Sequence, residues 1–429
     1  MRVLVVGATG LIGSAVCARA LAEGHAVVAA IRPGSETRPA GVDGVVEIDV
    51  ARATDLSDWE PHLDDIQAIV NCAGVLQSGP LQSPQGVHCR GIAALAEACV
   101  ERRIRRVIHL SAIGVDRGAL SEFSESKAAG DAALMAQDLD WVVLRPSVVL
   151  GAGAAGAGAL FRGLAALPVL PLMPSTGPLQ VVQLDDLTRT VMFFLDPSAP
   201  GRVVMEVAGP ERLALADVVA AHRRWLGWQP ARRLPLPAWL ATLLYRAGDF
   251  AGRLGWRPAL RSNAQREIAR GAVGDPHYWQ ELTGITPETL EHALTTRPAS
   301  PQERWFARLF PLKPVIFIVL GLFWLGTGLV SLGPGFDIGK ELLVTSGLPA
   351  LAAPGVIAGA LADMIVGAGM LYRPAARRAL YGGIALSIFY LVTGTLLLPE
   401  LWRDPLGPMM KIWPILVLNI VALMILDER

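Results

Sequence analysis

The sequence predicts a doubly wound α/β domain with a parallel sheet, followed by a small, mostly helical region and an all-α bundle of four membrane spans. Three observations lead there. Short apolar runs alternate with helical stretches over residues 1–210, aromatic residues crowd residues 211–312, and long uncharged runs fill residues 313–429.

Length and composition set the frame. A chain of 429 residues suits two or three folding units. Hydrophobic residues make up 52% and charged residues 18%, a balance that water-soluble proteins of this size rarely show. The net charge is zero, so no overall field draws in nucleic acid, and no nucleic-acid partner is expected. The four cysteines (Cys17, Cys72, Cys89 and Cys99) have no CxxC spacing. They read as reduced core thiols in a cytosolic compartment, with no metal site. The opening MRVLVVGATG is a strand and a glycine turn, not the charged head and apolar run of a secretory leader.

In the first region the strand candidates are Val3–Val6, Ala26–Ile31, Val45–Ile48, Ala68–Asn71, Arg106–Leu110 and Trp141–Leu144. They are rich in Val, Ile and Leu without polar alternation, as strands buried on both faces should be. Helical stretches such as Gln85–Arg102 and Ser124–Gln137 lie between them. Repeated strand–helix–strand order means a parallel sheet with helices on both sides.

Residues 211–312 differ in character. Nine of the eleven tryptophans fall at or after Trp225, and all five tyrosines at or after Tyr245. From Pro235 to Pro258, Trp239, Leu243, Tyr245, Phe250, Leu254 and Trp256 stand among arginines. Such a segment suits a membrane interface or a lid over an apolar ligand, and equally an ordinary core with solvated arginines.

The last region holds uncharged runs of 23 residues (314–336), 21 (342–362), 21 (379–399) and 15 (412–426). A spanning helix needs about 20 apolar residues, so three runs qualify and the fourth is marginal. Pro349 and Pro354 place the start of the second helix near Pro354, and it reaches Tyr372. Arg304, Arg308 and Lys313 precede the first run, and Arg373, Arg377 and Arg378 separate the second from the third. The positive-inside rule then puts the first domain and the C-terminus in the cytoplasm of a multi-pass protein of the plasma or inner membrane. Asp363 shares a helix face with Gly355, Gly359 and Gly367, so it is expected to point into the bundle. An acid there is a functional candidate or a structural hydrogen-bonding group. The same small-residue faces permit a homo-oligomer through the membrane helices.

The strongest motif is Gly7-Ala-Thr9-Gly10-Leu11-Ile12-Gly13, directly after an apolar strand and opening a helix. In that context Gly7 permits the tight turn, Gly10 lets a pyrophosphate approach, and Gly13 lets helix pack on strand. The helix N-terminus then offers its free N–H groups to phosphate. These residues predict a Rossmann-type domain that binds a nicotinamide dinucleotide. At the tip of the second strand stands Arg32, with no acid to take a ribose 2′-OH; a guanidinium suits a 2′-phosphate. NADP(H) is therefore favoured, with NAD(H) the alternative, and Asp49-Val50 after the third strand is placed to meet the adenine.

GATGLIG, Asp49-Val50, Asn71-Cys72-Ala73-Gly74, His109-Leu-Ser111, Ser126-Lys127 and Leu144-Arg-Pro146-Ser147 occur in that order. Together they resemble an atypical short-chain dehydrogenase/reductase, similar to the branch of the NAD(P)H-binding accessory subunit of respiratory complex I. Tyr372-Arg-Pro, Tyr390-Leu-Val-Thr-Gly, Leu401-Trp-Arg-Asp-Pro-Leu-Gly and Asp427-Glu-Arg resemble the DoxX-like membrane family. The first resemblance implies a cofactor lining that adds Thr9, Leu11, Ile12, Cys72, Ala73, Gly74, Pro146 and Ser147 to Gly7, Gly10, Gly13, Arg32, Asp49 and Val50. It implies a catalytic Ser111 and a Lys127 that holds the ribose, both also touching the cofactor.

The position of the family's catalytic tyrosine is Phe123, and a phenyl ring cannot donate a proton. Relatives similar to isoflavone reductases keep the lysine and lack the tyrosine. Ser111, Ser121, Ser124, His109 or a water held by Lys127 are the alternative proton sources. His109 reads equally as a packed, hydrogen-bonded histidine, and His88 carries no assigned role. The expectation is a membrane-anchored NAD(P)H-dependent oxidoreductase passing hydride to a lipophilic quinone or lipid carbonyl. The alternative is a dinucleotide-binding structural or sensing protein that works through membrane partners.

Overall fold

Residues 1–76, 83–118, 121–153 and 155–427 are described by a computed structural model; Glu428 and Arg429 of the last DoxX-like motif lie outside them. Strands β1 (Arg2–Val6), β2 (Ala26–Ile31), β3 (Gly44–Glu47), β4 (Ala68–Asn71), β5 (Arg106–Leu110) and β6 (Asp140–Pro146) appear where the apolar runs place them. Further strands come later in the chain: β7 (Val148–Leu150), β8 (Val169–Leu172), β9 (Val181–Gln183), β10 (Val203–Val207) and β11 (Arg232–Pro235). Seven of them form one all-parallel sheet in the order β10-β6-β5-β4-β1-β2-β3. The order reverses between β1 and β4, the switch point where open α/β sheets bind ligands.

Alternate residues of each strand explain why the runs look uniformly apolar. Val3, Val5, Val27, Ala29, Val70 and Ile108 face helices α1 (Leu11–Ala22) and, later in the chain, residues 184–195. Leu4, Val6, Val28, Ala30, Ile69 and Val107 face the other way, onto the layer that holds Trp59, Leu95, Cys99 and Leu134. Both faces are covered, so neither tolerates polar side chains. That second layer is α2 (Leu56–Trp59), α3 (Gly91–Glu101, entered through a π-helical turn over Gln85–Arg90) and α4 (Glu122–Met135). After these come α5 (Gly156–Ala166), α6 (Leu184–Leu195) and α7 (Leu215–Trp225).

The described residues form two compact units. The first is Met1–Asp249 with Ala259–Ala307; the second is Phe250–Pro258 with the chain from Arg308 onward. Most of the middle region, separate in the sequence reading, thus packs with the sheet. It comprises α8 (Ala238–Arg253), α9 (Ser262–Arg270), α10 (His277–Thr283), α11 (Leu290–Thr295) and α12 (Pro301–Leu309). Trp279 of α10 shows the reason: it is fully buried in the sheet's own core, and its Nε1 donates to Thr190 Oγ1 at 2.9 Å.

In the second unit, α13 (Leu312–Leu332), α14 (Phe336–Thr345), α15 (Ala352–Leu371), α16 (Arg373–Leu397) and α17 (Pro408–Met424) enclose a core of Phe317, Leu320, Trp324, Met370, Leu380 and Ala422. Among the described residues three helices are long and apolar enough to cross a membrane: Leu312–Leu332, Pro349–Leu371 and Arg373–Leu397. The fourth run forms the 17-residue α17, with Pro414 inside it. Asp363 points inward: it is 6% exposed and its Oδ1 accepts from Tyr390 Oη at 2.8 Å.

Candidate functional site

The glycine motif forms the turn between β1 and α1. Gly7 has φ +77, and a Cβ there would lie 2.9 Å from Ala73 N, so only glycine fits. A Cβ on Gly13 would overlap the Gly7 carbonyl oxygen, which is why this helix can start against the strand it leaves. Gly10 is the N-cap of α1, in extended conformation, and no side chain caps the helix. Uncapped N–H groups and the positive end of the helix dipole suit a pyrophosphate.

Ser111 and Ser147 stand just past the C-terminal ends of β5 and β6, beside the switch point. Both hydroxyls are buried; that of Ser111 faces the Asp131 carboxylate, and that of Ser147 has no hydrogen-bond partner. Buried polar atoms without partners are uncommon in native folds. Here the two serines line the sheet edge where a dinucleotide's nicotinamide half would be held, so the residues present fit the group.

Lys127, one turn after Phe123 on α4, is 4% exposed and donates through Nζ to Leu110 O at 2.7 Å. Burial lowers its pKa to about 8, against the opposing pull of Asp131. A Cβ on Gly74 would lie 3.7 Å from both Lys127 Nζ and His88 Nε2, so the loop after β4 runs beside this pair.

Three buried groups that the sequence reading did not assign hold this region in place. His88 Nε2 accepts from Val75 N at 2.9 Å, and its Nδ1 meets Ser126 Oγ at 2.9 Å, one residue before Lys127. Its ring stands edge-on to Phe123, with centroids 5.6 Å apart. Burial, then the neighbouring Lys127, push His88 down to about 2, so it is a neutral structural bridge. Asp131, one turn beyond Lys127, accepts from Arg145 Nε at 3.2 Å and Nη2 at 3.1 Å. Arg145 also reaches Asp116 at 2.5 Å. Burial works against the Asp131 carboxylate, but His109, a hydrogen bond from Ser111 and the Arg145 charge hold its pKa below the usual range. No local signal marks these residues, because the pairs are brought together by the β5, β6 and α4 packing.

His109 is the packed, hydrogen-bonded histidine that the sequence allowed. It is 1% exposed, meets Asn71 Nδ2 at 2.8 Å, and is kept neutral mainly by burial. Ser121 and Ser124 flank Phe123 and both donate to Glu267 Oε1 at 2.5 Å. Arg270 closes the group, reaching Glu267 Oε2 at 2.5 Å and Gly114 O at 2.9 Å. Those two hydroxyls are therefore committed to Glu267.

Arg32 is exposed just past the end of β2, and Asp49, after β3, accepts from Ala51 N at 3.1 Å. Thr9, Val50, Cys72, Ala73 and Pro146 lie on the same strand ends and turns, and Leu11 and Ile12 open α1. The four cysteines are free, and burial raises the Cys17 and Cys72 thiols, Cys17 to about 11.

Residues 7–161 match the NAD(P)H-binding family, and residues 321–420 match the DoxX-like family. A ceramide reductase of Caulobacter vibrioides is 24% identical over 172 residues, covering 40% of this chain and 54% of that protein. The mitochondrial 40 kDa subunit of NADH-ubiquinone oxidoreductase from Neurospora crassa is 26% identical over 153 residues, 34% of this chain and 40% of that subunit. The match thus spans about half or less of these curated relatives. Among solved structures, MoeE5 in complex with UDP-glucose and NAD has a TM-score of 0.54 at 21% identity, covering 72% of this chain and 99% of that one. Bordetella bronchiseptica WbmG in complex with NAD also has a TM-score of 0.54, at 18% identity over 72% of this chain and 96% of that one. At such identities these structures establish the fold. The chain therefore joins an NAD(P)H-binding domain with a Rossmann fold to a DoxX-like domain.

Proposed function

We propose that this protein is a membrane-anchored NAD(P)H-dependent reductase that passes hydride to a lipophilic carbonyl, either a lipid carbonyl or a quinone. The observation that carries the reading is the placement of Lys127, held at Leu110, beside the buried Ser111 on the next residue, with the unpartnered hydroxyl of Ser147 past the end of the neighbouring strand. The dinucleotide supplies the hydride when bound. The chain's own residues do the rest. The amides at the start of α1 hold pyrophosphate, Arg32 favours the 2′-phosphate of NADP(H), and Asp49-Val50 meet the adenine. Lys127 holds the ribose. Ser111 Oγ donates a hydrogen bond to the substrate oxygen and, with no phenol at Phe123, delivers the proton that this oxygen takes up. Lys127, with a pKa near 8, is the neighbouring group able to make up that proton.

The lipophilic substrate class is supported by the joined DoxX-like domain, by the three membrane-length helices and by a relative that is a ceramide reductase. In this reading the bundle is a four-span anchor, with the sheet domain and the C-terminus in the cytoplasm, and residues 211–312 include a lid over the site. The second reading, a dinucleotide-binding sensor without catalysis, is favoured by Phe123 alone.

The test is a titration of detergent-purified protein with NADPH and NADH beside an Arg32→Asp variant, followed by turnover of lipophilic carbonyls and quinones. The expected result is binding that is tighter for NADPH, a preference reversed in the variant, and turnover that depends on Ser111 and Lys127. Binding without turnover of any such substrate supports the sensor, and failure of both nucleotides to bind overturns both readings.

A further inference from the structure

Helix α8 turns an apolar stripe outward. Successive residues step by about 100°, which puts Trp239, Leu243, Arg246, Phe250 and Arg253 along one side. The opposite side carries Ala241 and Tyr245, both 2% exposed. On the outward side Trp239 is 69%, Leu243 56% and Phe250 62% exposed. A helix on a water-facing surface places polar residues there instead. Helix α12 repeats the pattern on a smaller scale: Trp305 and Leu309, one turn apart, are 71% and 53% exposed, with Arg304 and Arg308 beside them.

Chain continuity says what covers these stripes. Helix α12 ends at Leu309, and the membrane-length α13 starts at Leu312. Residues Phe250–Pro258, the last turn of α8 and the loop after it, belong to the second unit. There Trp256 packs on Phe317 with ring centroids 4.7 Å apart and donates through Nε1 to Leu371 O at 2.7 Å. Arg373 N donates to Leu254 O at 2.9 Å, and the Arg373 guanidinium sits 5.8 Å from the Trp256 ring. Phe317 lies near the start of α13, and Leu371 and Arg373 join α15 to α16. Both stripes therefore adjoin, along the chain, the bundle end that carries Lys313, Arg373, Arg377 and Arg378. Tryptophan beside arginine and lysine at the end of a span is the composition of a headgroup layer.

We propose that the outward stripes of α8 and α12 lie in the headgroup layer of an anionic bilayer, with Trp239, Leu243 and Trp305 entering the acyl boundary and Arg246 and Arg253 at the phosphates. The partner is lipid rather than protein because the apolar side chains alternate with cations along one ridge, as interfacial helices require. The inference rests on the reading of the bundle as membrane-spanning.

The test uses the full chain in nanodiscs. An environment-sensitive fluorescent amino acid replaces Trp239, or in a second protein Leu322, which is 58% exposed in mid-α13. Quenching is measured with a headgroup-nitroxide lipid, with a lipid carrying nitroxide deep in its acyl chain, and with aqueous iodide. The probe at 239 is expected to be quenched by the headgroup nitroxide and shielded from iodide, more so with phosphatidylglycerol than with phosphatidylcholine alone. Arg246→Glu with Arg253→Glu should abolish that difference. Quenching at 239 by iodide alone, while the probe at 322 responds to the deep nitroxide, overturns this proposal and leaves the spans standing. So does shielding at 239 that tracks the number of protein copies per disc instead of lipid charge. Failure of the probe at 322 to respond to the deep nitroxide overturns the membrane reading itself, and this proposal with it.

Discussion

Asn71 Nδ2 lies 2.8 Å from His109 Nδ1, and this contact decides which nitrogen of the buried imidazole carries the proton. Ala73 N donates to Asn71 Oδ1 at 3.1 Å, so the amide nitrogen must face the histidine. Nδ1 then accepts, and Nε2–H is directed toward Asp131 Oδ1, 3.4 Å away. Replacing Asn71 by Leu removes one buried partner each from Ala73 and His109. The expected cost is about 1–3 kcal/mol of stability for the sheet domain, read as a lower apparent Tm.

Arg145 faces Asp131 on one side and Asp116 on the other, and Asp131 is 1% exposed. Arg145→Met strands a buried carboxylate, so the expected loss is about 3–5 kcal/mol. Asp131→Leu added to it should recover much of that loss, because the uncompensated charge is then gone. Chemical denaturation followed by Trp fluorescence compares the two variants.

Lys127 makes binding and stability respond to pH in opposite directions. Its pKa is about 8 when folded, against 10.5 ordinarily. Between those values the unfolded chain holds a proton that the ligand-free folded chain lacks, so the lysine's contribution to stability rises with pH across that window. Nucleotide binding that uses the ammonium should instead weaken as pH passes about 8. Lys127→Met should flatten both responses in a thermal-shift and titration series over that range.

Phe123→Tyr should restore a phenol one turn from Lys127, beside the His88 ring. With a phenol in place of Ser111 as proton source, turnover of a lipophilic carbonyl should rise by roughly a hundredfold or more, the usual range for general acid catalysis. An unchanged nucleotide affinity with no turnover in either protein would favour the sensor reading. Stopped-flow oxidation of NADPH measures the difference.

Tyr390→Phe should destabilise the bundle by about 0.6–2 kcal/mol, the range for interhelical hydrogen bonds in membranes, because Asp363 Oδ1 loses its phenolic donor. Asp363→Asn keeps an acceptor and should cost less. The ordering of the two melting temperatures in detergent is the check.

The sequence by itself determined the strand run β1 to β6, the glycine turn and the membrane-length helices. These are written in local terms: strands buried on both faces must be continuously apolar, a turn against a neighbouring loop must be glycine at Gly7, and a span must be long and uncharged. Helical spacing also gave the inward face of Asp363, while the family resemblance marks Ser111, Lys127 and Phe123 as candidate site residues. Only the tertiary structure decided which groups surround them. Asp131 with Arg145, His88 with Ser126, and Glu267 with Ser121 and Ser124 are separated by 14, 38, 146 and 143 residues. Polar side chains find such partners only after the sheet and its helices have brought distant segments together, and no periodicity records that. The middle region reads as separate for the same reason. Its tryptophans look interfacial along the chain, yet Trp279 fills the sheet core while Trp239 and Trp305 face outward, a difference set by which face each helix can bury.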